Sequence, residues 1–161
     1  MKSMLFTILL TFNLVSCSLP KMVKEVPVKK FDIVAARTTA YTHLEGDHIK
    51  YGRKTAIGST LKDGTVATDW SIFPVGTVLK IGSKQYTVED YGSALIKPIN
   101  EPPTIDVYKS TRSQMNKWGV RHFSDVEVIE WGSWERSASY LKDRLRYKHC
   151  RVMYERIQEK L

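Results

Sequence analysis

Three aspartates stand among strand-forming residues in the middle of this 161-residue chain. Asp69 follows Val-Ala-Thr, Asp90 follows Tyr-Thr-Val-Glu, and Asp106 lies between Thr-Ile and Val-Tyr. Aspartate is depleted in strands because its short polar side chain competes for the backbone. Carboxyl groups that converge can donate and accept protons in acid–base catalysis. Three aspartates in one small unit therefore predict that strand ends bring their carboxylates to a common place.

The elements that would position these aspartates are short. The pattern predicts a two-residue hairpin connection at Gly82-Ser83 and a helix over 111–118, with Ser110 as N-cap, Gly119 after its end, and Met115 and Trp118 facing inward. Strands are predicted at residues 34–42, 65–68, 77–81, 84–89, 104–108 and 125–131. Few strands with uneven connections favour a small closed barrel over a sandwich, so the fold class is mainly β.

A long loop, residues 43–64, separates the first two strands. It contains four glycines and has no helical period, and long loops inside compact domains are usually functional. Its mixed His and carboxylate side chains raise the question of a metal site, but their spacing is irregular and a solvated polar loop is the favoured interpretation. These side chains are His43, Glu45, Asp47 and His48. We predict no metal and no cofactor.

The first 33 residues are predicted to be targeting and spacing segments. Residues 1–16 carry an apolar stretch that is shorter than the ~20 residues needed to span a bilayer. The ending Leu14-Val15-Ser16-Cys17 resembles a bacterial lipobox, so we expect lipidation of Cys17 and attachment to the periplasmic face of the outer membrane. An ordinary signal peptide or a weak anchor is the alternative. Residues 17–33, with two prolines and several lysines, are predicted to be an extended tether.

The chain is basic, with 25 Lys+Arg against 17 Asp+Glu and a formal net charge of +8. A positive surface favours anionic partners, which include nucleic acid, a membrane face and an acidic polymer. We expect no nucleic-acid partner, because an exported lipoprotein does not meet DNA and no basic-aromatic recognition motif is present.

Residues 135–161 contain no Gly or Pro and predict an amphipathic helix of up to 27 residues. Packing of this helix across the barrel is the simplest interpretation. The alternatives are a homodimer, with Cys150 opposite its mate, and contact with an anionic membrane or glycan. If Cys17 carries lipid, Cys150 has no intramolecular partner, and a buried cysteine on a helix face is favoured over an intermolecular bridge.

Seven blocks along residues 35–131 resemble, in order, the three-aspartate (3D) domain. They are Thr39-Ala40-Tyr41, Thr55–Gly58, Gly64–Asp69, Phe73–Thr77, Glu89–Lys97, Ile105–Tyr108 and Trp118–Arg121. In the fifth block the second of two family glycines is Ser93, and one extra residue precedes Lys97. The resemblance implies a six-stranded double-psi β-barrel related to the catalytic barrel of membrane-bound lytic transglycosylase A. The expected organisation is a signal peptide at 1–16, a tether at 17–33, the barrel at 34–132 and a C-terminal helix at 133–161.

The resemblance also implies a substrate, the glycan strand of peptidoglycan, and a reaction. In a lytic transglycosylase the muramyl 6-hydroxyl attacks its own C1, so one carboxyl group can serve first as acid and then as base. Asp90 is the expected acid, Asp106 a second carboxylate that orients or perturbs it, and Asp69 mainly a structural residue that binds backbone amides. Crowding by these carboxylates, or burial beneath Tyr91 and Trp70, would raise the pKa of Asp90.

The substrate contacts expected from these blocks are Tyr41 as a sugar-stacking ring, Lys97 as a contact for a lactyl carboxylate or an acetamido carbonyl, and Thr39 and Thr55 as hydrogen-bond donors. Each also has a purely structural interpretation. Two functions remain open at this point: a lytic transglycosylase, which is favoured, and a barrel that binds peptidoglycan without cleaving it.

Overall fold

The computed structural model describes residues 31–46 and 49–161, with only the backbone of Lys50. The predicted signal peptide, the predicted lipidation site Cys17 and most of the predicted tether lie outside the described residues, as do Asp47 and His48. The tether was predicted to end at residue 33, but the first strand already begins at Asp32, which pairs with Val128 of the last strand.

Six strands form a closed barrel, which confirms the predicted fold class. The order around the barrel is β1-β5-β2-β4-β3-β6, and the pairs β1/β5 and β2/β4 are parallel while the others are antiparallel. The strands are β1 Asp32–Tyr41, β2 Thr65–Ala67, β3 Val78–Ile81, β4 Lys84–Asp90, β5 Thr104–Tyr108 and β6 Arg121–Glu130. Gly82 and Ser83 connect β3 to β4, as predicted.

Strand alternation fills the barrel with apolar side chains. Val66 of β2, Val88 of β4 and Val107 of β5 are fully buried in one cluster, and residues of β3 and β6 complete it. Residues on the opposite face of the same strands, including Ala67 and Tyr108, belong to a second, smaller cluster. The barrel therefore encloses an apolar core, and part of the outer face of its strands is buried as well.

The short helix between β5 and β6 is α1, Arg112–Trp118. Its N-cap is Thr111 and not the predicted Ser110, because the Thr111 hydroxyl accepts the Gln114 amide at 3.2 Å while Ser110 donates to the Gln114 side chain. Gly119 ends the helix with a φ of 63°, as predicted. Trp118 is only half-buried and donates from its indole nitrogen to Thr38.

The prediction of one long C-terminal helix is wrong. Two helices form instead, α2 Trp134–Lys142 and α3 Lys148–Gln158, and they pack against each other. A continuous helix of 27 residues would be about 40 Å long and would run past the barrel. The turn after Lys142 lets Leu141, Met153 and Ile157 join the apolar core together. Packing on the barrel is thus confirmed. Within residues 31–46 and 49–161, no helix is long and apolar enough to span a membrane.

Gly132 forms the joint between the barrel and α2. A Cβ at this position would overlap the carbonyl oxygen of Val75 and would lie 2.6 Å from the Thr77 nitrogen. The amide of Gly132 binds the Thr77 hydroxyl at 3.1 Å, and the Ser133 amide binds the Val75 carbonyl at the same distance. Only glycine allows this close approach of two backbone segments.

Candidate functional site

Asp90 and Asp106 flank one small residue, Ala67. Strand β2 lies between β4 and β5, and Ala67 is directly opposite Asp90 on one side and Asp106 on the other. Directly opposed residues present their side chains to the same face of a sheet. With strands spaced by about 4.8 Å, the two aspartate Cα atoms lie about 10 Å apart. The barrel therefore brings both carboxylates to its outer face.

A bulge at Glu89 is what gives Asp90 this orientation. Val66 is opposite Val88 and Ala67 is opposite Asp90, so Glu89 is an additional residue in β4. Tyr86 and Val88 point into the apolar core, and strict alternation would turn Asp90 inward with them. A bulge inserts one residue and re-aims the side chain that follows it. Asp90 consequently shares the face of Ala67.

Asp90 is only 6% exposed, and its carboxyl group accepts hydrogen bonds from two backbone amides and a tyrosine hydroxyl. Oδ1 accepts the backbone amides of Ala56 at 3.0 Å and of Tyr91 at 2.9 Å. Oδ2 accepts the hydroxyl of Tyr41 at 3.1 Å. Its own backbone carbonyl accepts the Trp70 indole N–H at 2.8 Å. These contacts fix both the main chain and the rotamer of Asp90.

Tyr41 is a partner of Asp90 and not the predicted sugar-stacking ring. Its side chain is buried, and its ring contacts Tyr108 edge-on with centroids 5.6 Å apart, so no face is open to a sugar. Burial raises the pKa of Tyr41 well above its usual range, and the nearby charge of Asp90 adds to this. The phenol therefore keeps its proton at any pH at which the protein works.

Asp106 also has a hydrogen-bond partner on β1, the strand that carries Tyr41. The hydroxyl of Thr39 donates to Asp106 Oδ1 at 2.6 Å, and the two residues are opposite each other in the β1/β5 pairing. Thr39 and Tyr41 are two residues apart on β1 and so lie on one face. Strand β1 thus positions both carboxylates. Thr39 has the hydrogen-bonding capacity that was predicted, but it donates to Asp106.

Asp69 lies in a different environment. Its side chain is 2% exposed, and Oδ1 accepts the amide and the hydroxyl of Ser71 at 2.9 and 2.6 Å. Oδ2 forms an ion pair with Arg156 of α3 at 3.0 Å. These partners stabilise the turn after β2 and attach α3 to the barrel. The contacts of Asp69 are of the structural kind, and its carboxylate faces Ser71 and Arg156 and not the partners of Asp90.

Comparison with known families agrees with this geometry. The family model described as "3D domain" matches residues 64–130. This chain contains a 3D domain. The family is associated with peptidoglycan-related barrels of the lytic-transglycosylase type. No curated protein matches the chain.

The 3D-domain match does not include everything that contacts Asp90. Tyr41 and Ala56, which both donate to its carboxyl group, precede the matched residues. Segment 53–60 covers Asp90, and Thr55 stabilises it through its hydroxyl contact with Ser59 at 2.8 Å. Thr55 therefore shapes the loop over the site. Its own side chain contacts Ser59 and not the Asp90 carboxyl.

Arg144 clamps this covering segment from the turn between α2 and α3. Its guanidinium donates to the Ala56 carbonyl at 2.7 Å and lies 3.5 Å from the Tyr91 hydroxyl. The Tyr91 hydroxyl also accepts a hydrogen bond from the Cys150 thiol, with an S···O distance of 3.3 Å. Cys150 is buried, so a bridge to a second chain would first require opening of the helix pair. Sequence reasoning missed Arg144, since no motif distinguishes it from neighbouring basic residues.

Lys97 lines a cavity of about 660 Å³ beside residues 93–98, the segment that follows Asp90 in the sequence. The cavity lies between the segment after β4 and helix α3. Its lining residues are Ser93, Ile96, Lys97, Pro98, Lys148, His149, Val152 and Arg156. The side chain of Ser93 is exposed.

The His- and carboxylate-rich loop does not assemble a metal site in the part that is described. His43 Nδ1 lies 2.8 Å from the Tyr108 hydroxyl, and Glu45 accepts the Thr42 amide at 3.1 Å. Within residues 31–46 and 49–161, no three metal-ligating side chains come together. The other two predicted ligand candidates, Asp47 and His48, lie outside the described residues.

Proposed function

We propose that this protein is a peptidoglycan lytic transglycosylase in which Asp90 is first the general acid and then the general base. The observation that carries the proposal is the environment of Asp90. Its carboxyl group is fixed at a strand end by two backbone amides and by the Tyr41 hydroxyl, and Asp106 lies on the same face. A 3D domain supplies the fold in which this arrangement would act on a glycan strand.

The proposed reaction cleaves the β-1,4 bond between N-acetylmuramic acid and N-acetylglucosamine. Asp90 donates its proton to the leaving O4 while the C1–O4 bond breaks. The 6-hydroxyl of the same muramyl residue then attacks C1 and returns its proton to Asp90, so the acid is regenerated. The product is a 1,6-anhydro sugar. No water and no second carboxylate nucleophile take part, in contrast to an ordinary glycosidase.

The two oxygens of Asp90 have different hydrogen-bond partners, and this difference supports proton transfer through one of them. Oδ1 accepts two backbone amides, and these donors can only bind an oxygen lone pair. Oδ2 meets the Tyr41 hydroxyl, which can donate or accept. Oδ2 is therefore the oxygen that carries the catalytic proton. Tyr41 adapts by rotating its own O–H.

A general acid must come within about 2.6–3.2 Å of the oxygen that it protonates. Asp90 is covered by segment 53–60, so catalysis requires this segment to move aside. Gly52 and Gly58, at φ of 61° and 86°, are the points where such a movement would bend the chain most easily. The segment would act as a cover over the acid.

The location that fits this activity is the cell envelope. A lipid on Cys17 would hold the protein at the membrane, on the periplasmic side of the outer membrane, and the residues between Cys17 and β1 would give it reach toward the glycan. This part of the proposal rests on the lipobox-like residues 14–17.

One observation favours a second candidate, a barrel that binds peptidoglycan without cleaving it. Asp90 and Tyr41 are almost completely buried, and three hydrogen bonds already occupy the carboxyl group. A buried Asp90 carboxylate with these partners would have the structural role of holding segment 53–60 against the barrel. The two candidates differ in whether the protein makes product.

The test is digestion of purified peptidoglycan by the full chain, with mass analysis of the soluble products. Wild type should release anhydro-muropeptides. Asp90→Asn should release at least about a hundredfold less, because loss of general acid–base catalysis typically costs 10²–10⁴ in rate. The matched control is Asp125→Asn, which removes an exposed carboxylate from β6 and should leave the rate unchanged.

The other outcomes are equally informative. Muropeptides with a reducing end would mean a hydrolase, and Asp106 would then be tested as its second carboxylate. If neither wild type nor Asp90→Asn gives product, and both bind sacculi equally in a sedimentation assay, the enzyme is excluded and the binding module is left.

A further inference from the structure

The cavity that Lys97 lines, between residues 93–98 and α3, carries an unbalanced positive charge. Arg156 is already paired with Asp69 at 3.0 Å. Among residues 31–46 and 49–161, neither Lys97 nor Lys148 has a carboxylate within ion-pairing distance. None of the eight lining residues is acidic. Two free ammonium groups at one cavity with no acidic neighbour in its lining favour an anionic ligand.

The cavity adjoins the proposed catalytic carboxyl. Ser93, in its lining, is three residues after Asp90. Tyr91 connects the two sites, since its amide donates to Asp90 Oδ1 and its ring lies 5.6 Å from the ring of His149. A group that projects from a sugar held at Asp90 would therefore have a short path to this cavity.

We propose that this cavity binds the carboxylate-bearing peptide that substitutes the muramyl residues of peptidoglycan. The inference rests on the proposed function and adds to it a preference for peptide-substituted strands over bare ones. In a substituted strand the lactyl carboxylate is consumed in an amide bond, so the free carboxylates belong to the peptide. Lys97 and Lys148 would bind these carboxylates as charge-assisted hydrogen-bond donors.

Size and lining fit such a ligand. A volume of about 660 Å³ lies within the range of pockets that take drug-sized molecules and exceeds what a single carboxylate needs. Ile96, Pro98 and Val152 provide apolar surface for small peptide side chains. Burial lowers the pKa of His149, so at neutral pH the charge of the cavity comes from the two lysines.

Helix α3 forms the side of the cavity that lies outside the residues matched to the 3D domain. Four of its lining residues, from Lys148 to Arg156, belong to α3 and follow the residues matched to the 3D domain. The helix pair is held in place by Arg144 and Arg156, which contact Ala56 and Asp69. The C-terminal helices thus act as a second wall beside the barrel.

The test compares two substrates, intact peptidoglycan and the same glycan strands from which an amidase has removed the peptides and in which the lactyl carboxylates so exposed have been converted to amides. Binding is measured with the full chain carrying Asp90→Asn, and cleavage is measured with the wild-type chain. We expect about fivefold tighter binding to the peptide-bearing strands. Lys97→Gln/Lys148→Gln should abolish this preference.

The matched control is Lys62→Gln/Lys142→Gln, which removes the same charge from two exposed lysines outside the cavity. It should retain the preference. Equal binding of both substrates by the parent protein, or a preference that survives Lys97→Gln/Lys148→Gln, would overturn the peptide site. The binding assay needs no cleavage, so a protein that selects substituted strands through these lysines but releases no product would refute only the proposed catalysis.

Discussion

The hydroxyl of Tyr41 donates a hydrogen bond of 3.1 Å to Oδ2 of Asp90, between residues that are 49 positions apart in the sequence. Tyr41 comes from β1, which precedes the residues matched to the 3D domain, and Asp90 ends β4 within them. The covering segment 53–60 lies between the two in sequence and binds Asp90 through the Ala56 amide. The first strand is therefore part of the site as well as of the barrel.

The buried phenol predicts a loss of stability in alkali. Tyr41 has its pKa raised far above 10.0, and burial raises the pKa of Tyr91 to about 12. In the unfolded chain both would lose their protons near pH 10. Above that pH the unfolded state binds fewer protons than the folded state, so the free energy of unfolding falls as pH rises.

The free energy of unfolding of Tyr41→Phe should fall less steeply with pH than that of the wild type. The difference in slope should reach up to about 1.4 kcal/mol per pH unit between pH 10 and 11. Urea unfolding at pH 8, 10 and 11 measures it, and the pH 8 values correct for any change in packing. Identical slopes in the two proteins would contradict the assignment.

Arg144→Gln should loosen the segment that covers Asp90. The substitution removes a charge-assisted hydrogen bond of 2.7 Å to the Ala56 carbonyl. We expect hydrogen exchange at the Ala56 amide to accelerate about tenfold, since such a bond contributes about 1.5 kcal/mol. Arg146→Gln, which removes an exposed guanidinium from the same turn, is the control. Unchanged exchange in Arg144→Gln would show that the segment is held by its other contacts.

Arg156→Gln should destabilise the fold by about 3 kcal/mol, because it leaves the carboxylate of Asp69 buried without its charge partner. Urea unfolding measures this cost. The double variant Asp69→Asn/Arg156→Gln should lose less than the sum of the two single variants. Arg151→Gln, on the exposed side of α3, is the comparison and should change stability by less than about 0.5 kcal/mol. Additive losses would argue against the ion pair as a stabilising contact.

Gly132→Ala should cost about 3 kcal/mol, because the new methyl group would meet backbone atoms of Val75 and Thr77 and not a flexible side chain. Gly46→Ala, at a position with no atom within 4 Å, is the matched substitution and should be close to neutral. A thermal denaturation comparison distinguishes them. Similar melting temperatures for the two variants would mean that the joint between barrel and helices can shift.

The strands were predictable because their signals are local. Alternation and turn residues such as Gly82-Ser83 need no knowledge of distant contacts, and the predicted strand 104–108 agrees with β5. The bulge at Glu89 has no such signal, since an inserted residue is visible only against its partner strand. The sequence nevertheless grouped Asp90 with Asp106, because both stand in strand-forming runs.

The errors arose where tertiary contacts decide the outcome. An aromatic residue in a family block predicts a sugar platform, but the burial of Tyr41 depends on Tyr108 and on a loop distant in sequence. The break between α2 and α3 contains no Gly or Pro. It forms because Leu141 and Ile157 can both reach the core only if the chain turns back. Local propensity is a weak guide when packing opposes it.

The attachment of the C-terminal helices has a consequence for biosynthesis. Arg144 and Arg156, which a ribosome adds after the whole barrel, contribute one contact each to Ala56 and Asp69, and Arg156 also binds the Lys97 carbonyl. Chains are synthesised from the N-terminus at about 5–20 residues per second, so an emerging barrel would lack these contacts for several seconds. A chain that stops before Arg144 would keep the Tyr41 and backbone-amide contacts of Asp90 but would lack the arginine that holds the covering segment 53–60 in place.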